Sequence, residues 1–150
     1  DINAMPLWTY FQSVLRWAMD TFNMKKFKKI MKGLDWAKFY DEYHEKVLDI
    51  KGMEKLIIDL VGDDEIQKQQ GIIPYVLTGD EHYLDLRAFP DKIKLAVWEK
   101  QNHKCAICGK EFDYQFMEGD HITPWREGGR TEVKNCQMLC RECNRRKGSK

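Results

Sequence analysis

Residues 105–147 run CAICGKEFDYQFMEGDHITPWREGGRTEVKNCQMLCRECNRRK. Two C-x-x-C pairs, Cys105/Cys108 and Cys140/Cys143, close this stretch at its two ends. Four thiolates at such spacing favour a closed, structural zinc site. Between and beside them lie Asp120, His121, Asn135 and Asn144, oxygen and imidazole groups suited to a harder divalent ion. The pattern predicts one metal for folding and one for chemistry.

The order reads as knuckle, strand, turn, long loop, strand, knuckle, helix. The aromatic run 112–117 predicts a first strand ended by Asp120-His121, and 136–139 a short apolar second one. Gly128-Gly129 fall in the returning loop, and 142–147 begin a helix. This is a ββα-metal arrangement. Upstream, Pro90 opens a helix to about His103, with Ile93, Ala96 and Val97 facing inward. Residues 71–86 read as a turn-rich connector with Pro74 and Gly79 as breakers.

Before that the pattern is helical. Leu7, Phe11, Val14, Leu15, Ala18 and Phe22 recur at three-to-four spacing, and a second amphipathic run over 24–31 stops at Gly33. Asp35 caps a helix carrying Trp36, Phe39, Tyr40 and Tyr43, and Gly52 and Gly62 bracket an apolar helix over 53–61. The aromatic side chains read as core packing between helices. The predicted class is α+β: a helical region at 1–89, then a small zinc-stapled ββα-metal domain at 90–150.

All five cysteines fall between residues 105 and 143, which predicts metal binding in a reducing cytoplasm instead of a disulfide scaffold. No stretch has the length and apolarity of a membrane span. The chain begins at Asp1, so it is expected to be a piece of a longer protein lacking an upstream domain. Residues 1–89 hold 12 Lys/Arg against 15 Asp/Glu, and residues 90–150 hold 13 against 9. The positive excess lies with the metal motif, as a phosphate-binding surface needs.

Asp120-His121-Ile122-x-Pro124, Gly128-Gly129, Asn135, Leu139-Cys140-x-x-Cys143-Asn144 and Lys147 closely resemble the HNH endonuclease family. More loosely, 87–105 and the helical region resemble the C-terminal halves of GmrSD-like (DGQR-type) restriction proteins. That likeness implies the effector end of a bacterial restriction or antiviral defence enzyme. The family implies that Asn135 fixes the two strands and orients His121, and that Asn144 stands where many members carry a third His.

The chemistry agrees. Phosphodiester hydrolysis needs an activated water, charge neutralisation on the phosphate, and help for the leaving oxygen. His121 suits the general base because imidazole titrates near neutrality. Asp120 and Asn144 offer oxygens to Mg²⁺ or Mn²⁺. Arg130, Lys134, Arg145, Arg146 and Lys147 would grip the DNA backbone, while Cys136 reads as a buried strand residue. His44, His82 and His103 have no partner in the motif. One such site cuts one strand, so a double-strand break would need a homodimer, with 1–89 as scaffold, dimer surface or DNA clamp. The competing reading is a zinc-stapled DNA-binding module without catalysis. A RING- or LIM-like interaction domain would need more Cys/His pairs than are present.

Overall fold

The computed structural model describes residues 4–148, so the chain ends at 1–3 and 149–150, including Asp1, lie outside the described residues. The fold is α+β. The chain divides into two compact units, 1–86 and 87–150.

The first unit is helical. It contains α1 (Ala4–Thr21), α2 (Met24–Met31), α3 (Trp36–Tyr43), α4 (Ile50–Val61) and α5 (Ile72–Thr78), followed by a 3-10 turn, Glu81–Leu84. Its boundaries are set by local capping. Asn23 accepts from the N–H groups of Lys25 and Lys26, and Asp35 from that of Lys38. Gly33, just past the C-cap of α2, takes φ +75°, a left-handed turn that side chains with a Cβ resist.

Three expectations are corrected. α4 starts three residues before the expected 53, because Asp49 caps it and accepts from Gly52 N, which places Gly52 inside the first turn. The connector contains a helix, α5, since Pro74 sits in a first turn where its missing N–H is no loss. α1 buries Val14 and Ala18, with Phe22 just beyond its end, but Leu7 stays 69 % exposed and Phe11 52 %. The aromatic core itself is there. Trp17 meets Phe22, Trp36 and Tyr40 edge-on, and Trp36 donates Nε1–H to Met31 O.

Leu86 bridges back to Ile66, whereas Phe89 joins the core of the second unit with Val97, Met117, Met138 and Leu139. That unit holds α6 (Asp91–Lys100), β1 (Met117–His121), β2 (Cys136–Cys140) and α7 (Arg141–Gly148). On α6, Val97 is buried and Ile93 half-buried, but Ala96 is exposed. The first strand begins at Met117, not 112, because Tyr114–Phe116 form a 3-10 turn and Phe112 is held back by its N–H on His103 O. β1 and β2 are antiparallel, with Met117 opposite Cys140 and His121 opposite Cys136. The outer edge of β2 is covered by Gln101, whose amide donates to Met138 O and accepts from Met138 N at 3.0 and 2.9 Å. A side chain thus completes the ladder that an edge strand would leave open.

Candidate functional site

The knuckle at Cys105 is a turn closed by Cys105 N on Lys110 O and Gly109 N on Cys105 O. Ala106 N donates to Met138 O, fastening the knuckle to β2. Cys140 ends β2 and Cys143 lies in the first turn of α7, so the second pair joins strand to helix. The four thiols of Cys105, Cys108, Cys140 and Cys143 lie within 4.8 Å of one another, and no disulfide joins the five cysteines.

A tetrahedral zinc with bonds near 2.3 Å spaces its sulfurs by roughly 3.8 Å, and Cys108 and Cys140 stand 4.0 Å apart. Ile107 N points at Cys105 Sγ and Cys143 N at Cys140 Sγ, both at 3.4 Å, hydrogen bonds that favour thiolates. Burial opposes ionisation of Cys105, but backbone hydrogen bonds at Cys108, Cys140 and Ile107 outweigh it and draw the thiol down to about 6. The hydrogen bond to Cys140 pushes Cys143 up to about 12. Four sulfurs this close resist carrying four negative charges unless a cation sits among them. The donor set fits zinc. Cys136 stands outside the cluster, its thiol pushed up to about 11 by burial and by Asp120.

The end of β1 carries the polar residues. Strand side chains alternate, so Glu118 and Asp120 share one face and His121 takes the other. Asp120 lies opposite Gln137 in the strand register, and Gln137 Nε2 donates to Asp120 Oδ2 at 2.9 Å. α7 lies across that same face: Lys147 sets its ammonium on Asp120 Oδ2 and donates to His121 O at 2.9 Å. Asn144 Nδ2 donates to Glu118 Oε1 at 3.3 Å. Among the described residues Asp120 Oδ1 has no hydrogen-bond partner. Glu118, Asp120 and Asn144 carry hard oxygens of the kind Mg²⁺ or Mn²⁺ takes, and α7 meets β1 through them, Asn144 on Glu118 and Lys147 on Asp120.

His121 has separate partners. Its ring packs on Phe89 with centroids 4.1 Å apart, and Nε2 lies 2.9 Å from Thr131 Oγ1. Thr131 Oγ1 in turn donates to Arg87 O at 3.4 Å. With the hydroxyl hydrogen directed at Arg87 O, the tautomer that suits this pair carries its hydrogen on Nε2 and keeps the lone pair on Nδ1.

Asn135 is buried and its amide is fully used. Oδ1 accepts from Thr123 N at 2.8 Å, while Nδ2 donates to Thr123 O and Arg130 O at 3.1 and 2.8 Å. It clips the turn after His121 to the returning loop. Gly129 permits this closure, because a Cβ there would lie 1.7 Å from Thr123 O and 2.9 Å from Asn135 Nδ2.

The basic residues divide. Lys147 is drawn onto Asp120. Lys134 pairs with Glu132 at 3.2 Å and Arg146 with Glu142 at 2.6 Å. Arg130 and Arg145 are exposed. Arg130 and Lys134 line a cleft of about 350 Å³ beside Thr123 and Asn135. His44 and His82 are exposed, whereas His103 stacks on Trp98 at 3.7 Å. Sequence reasoning missed Thr131, Glu118 and Gln137. Only Glu118 left a signal, two strand positions before Asp120.

No helix among the described residues is long and apolar enough to cross a membrane. Comparison with curated proteins and with solved structures returned no match. Residues 105–150, which hold the thiol cluster, both strands and α7, match the family model of the HNH endonucleases.

Proposed function

We propose that the second unit is a metal-dependent endonuclease that hydrolyses phosphodiester bonds in DNA. The observation that carries this reading is the pinned imidazole of His121, set beside Asp120 at the end of a strand that α7 crosses. Cys105, Cys108, Cys140 and Cys143 would hold a structural zinc that ties strand to helix. Asp120 and Asn144, with Glu118 next to them, would hold the second ion. A Mg²⁺-type ion bound there would supply positive charge against the charge that develops on the phosphate and the leaving 3′ oxygen.

The chain's own residues do the rest. His121 Nδ1 takes a proton from the attacking water, and Thr131 holds the ring at Nε2 so that this nitrogen faces its task. The water oxygen bonds to phosphorus as the bond to the 3′ oxygen breaks. Asn135 keeps the turn carrying His121 in place. Arg130 and Arg145 meet the backbone phosphates, which positions DNA without reading bases. The looser likeness to GmrSD-like proteins supports an effector role in restriction or antiviral defence, with an upstream domain and, for double-strand breaks, a second protomer. The free thiols suit a reducing cytoplasm.

One observation favours the second reading, a zinc-stapled DNA-binding module without catalysis: an ammonium already rests on Asp120. Plasmid incubated with zinc-loaded chain separates the two. Nicking that stops when free Mg²⁺ and Mn²⁺ are chelated, with zinc retained, supports the nuclease. Plasmid that is bound and never nicked supports the module.

A further inference from the structure

The first unit is acidic overall, with eleven Lys/Arg against fifteen Asp/Glu in residues 1–86, yet its charge is segregated. Lys25, Lys28, Lys29 and Lys32 stand at i, i+3, i+4 and i+7 along α2 and its C-cap. All four are exposed, while Phe27, Ile30 and Met31 between them are buried. Two clefts of about 660 and 420 Å³ follow this lysine face and share Gln70. Lys38 and Lys68 line the second of them.

Among the described residues none of Lys25, Lys28, Lys29, Lys32 and Lys68 makes an ion pair. Lys26 engages Glu54 at 2.6 Å and Lys38 meets Tyr83 Oη at 3.5 Å. Seven of the unit's eleven bases therefore border the clefts, where Asp35 is the acid in the lining and Glu54 the acid paired to it.

This arrangement disfavours the helix that carries it. Like charges three and four residues apart repel. Lys25 and Lys26 occupy the first turn with no acid there, against the helix dipole. Burial of Phe27, Ile30 and Met31 holds α2 regardless, and the exposed charge is what an incoming polyanion relieves. Lys25 to Lys32 spans about 10 Å at 1.5 Å per residue, roughly three phosphate-to-phosphate steps along one strand. A lipid surface fits poorly, because an interfacial helix inserts its apolar face and that of α2 is already in the core.

We propose that the lysine face of α2, with Lys68, is a second binding surface for the phosphodiester backbone of nucleic acid, separate from the residues of the second unit. It rests on the nuclease reading only in naming duplex DNA as the polyanion. The test uses the full chain carrying His121→Ala, titrated with a labelled short duplex DNA across a range of salt. Adding Lys25→Gln, Lys28→Gln, Lys29→Gln and Lys32→Gln, with helicity checked by circular dichroism, is expected to weaken binding by about tenfold or more. The log–log salt slope should become shallower by about 0.9 for each phosphate that the variant leaves unneutralised. Lys46→Gln/Lys51→Gln/Lys55→Gln, on the same unit but outside the clefts, should leave both unchanged.

Unchanged affinity and slope in the quadruple variant would overturn the proposal, as would an equal loss in the triple one. So would duplex binding that is unaffected while binding to phosphatidylserine vesicles disappears. Wild-type chain that binds duplex through this face but never nicks it supports the binding surface while sinking the nuclease reading.

Discussion

Lys147, in the last turn of α7, sets its ammonium on Asp120 Oδ2 and donates to the carbonyl of His121, so one helix side chain holds two consecutive residues of β1. The pair is part-buried, with 34 % of the Lys147 side chain and 18 % of the Asp120 side chain exposed. It ties the helix to the strand and occupies one oxygen of the carboxylate proposed above as a ligand of the divalent ion.

Lys147→Gln should therefore tighten Mg²⁺ or Mn²⁺ binding in the absence of DNA by about fivefold, since such a pair contributes about 1 kcal/mol. Isothermal titration of the zinc-loaded chain measures this. Weaker or unchanged ion binding would show that Lys147 does not compete for Asp120.

Asn135→Ala should destabilise the second unit by about 2–4 kcal/mol, because it removes the three hydrogen bonds made by a buried amide. Urea unfolding gives the value. A loss below about 0.5 kcal/mol would mean that the turn closes without the clip.

Cys140→Ser should abolish the folded second unit while leaving the helices of the first, because structural zinc supplies about 10–16 kcal/mol of apparent binding free energy to small domains. Metal analysis and a two-dimensional amide spectrum check it. A well-dispersed spectrum with no zinc in the wild-type chain would contradict the assignment.

Tyr114 donates to Asp91 at 2.6 Å, tying the 3-10 turn before β1 to the start of α6. This bond, with Lys94 next in effect, lowers the Asp91 carboxyl below its usual range. A depressed carboxyl stabilises the fold above its unfolded pKa and ceases to do so as pH falls through the folded one. Tyr114→Phe should lower the melting temperature near neutrality and make no difference once the carboxyl is protonated. A difference that persists in acid would assign the effect to packing.

The parts of the site that rest on local chemistry are legible in the sequence. Paired cysteines announce their cluster by spacing alone, and Asp35 and Gly33 mark helix ends because capping needs only neighbouring residues. Asp49 is easily overlooked because Gly52 resembles a breaker, although the cap on its N–H makes it a first-turn residue. What escapes depends on chain closure. Thr131 reaches His121 only after the loop folds back, and Gln137 reaches Asp120 only through the strand register. The exposed Leu7 and Phe11 follow a helical period faithfully, but periodicity cannot say whether another element covers the face it defines.

Whether His121 activates water is read from the single-turnover rate of plasmid nicking in Mg²⁺ by wild-type, His121→Ala and Thr131→Val chains of equal zinc content. His121→Ala is expected to lower the rate by about 10²–10⁴-fold, the usual contribution of a positioned base. Thr131→Val is expected to lower it by about 10–100-fold through loss of one hydrogen bond to a group that becomes charged, with Thr131→Ser restoring it. Nicking by His121→Ala at the wild-type rate, or no nicking by a folded, zinc-loaded wild-type chain in Mg²⁺ or Mn²⁺, would show that His121 is not the base of a nuclease.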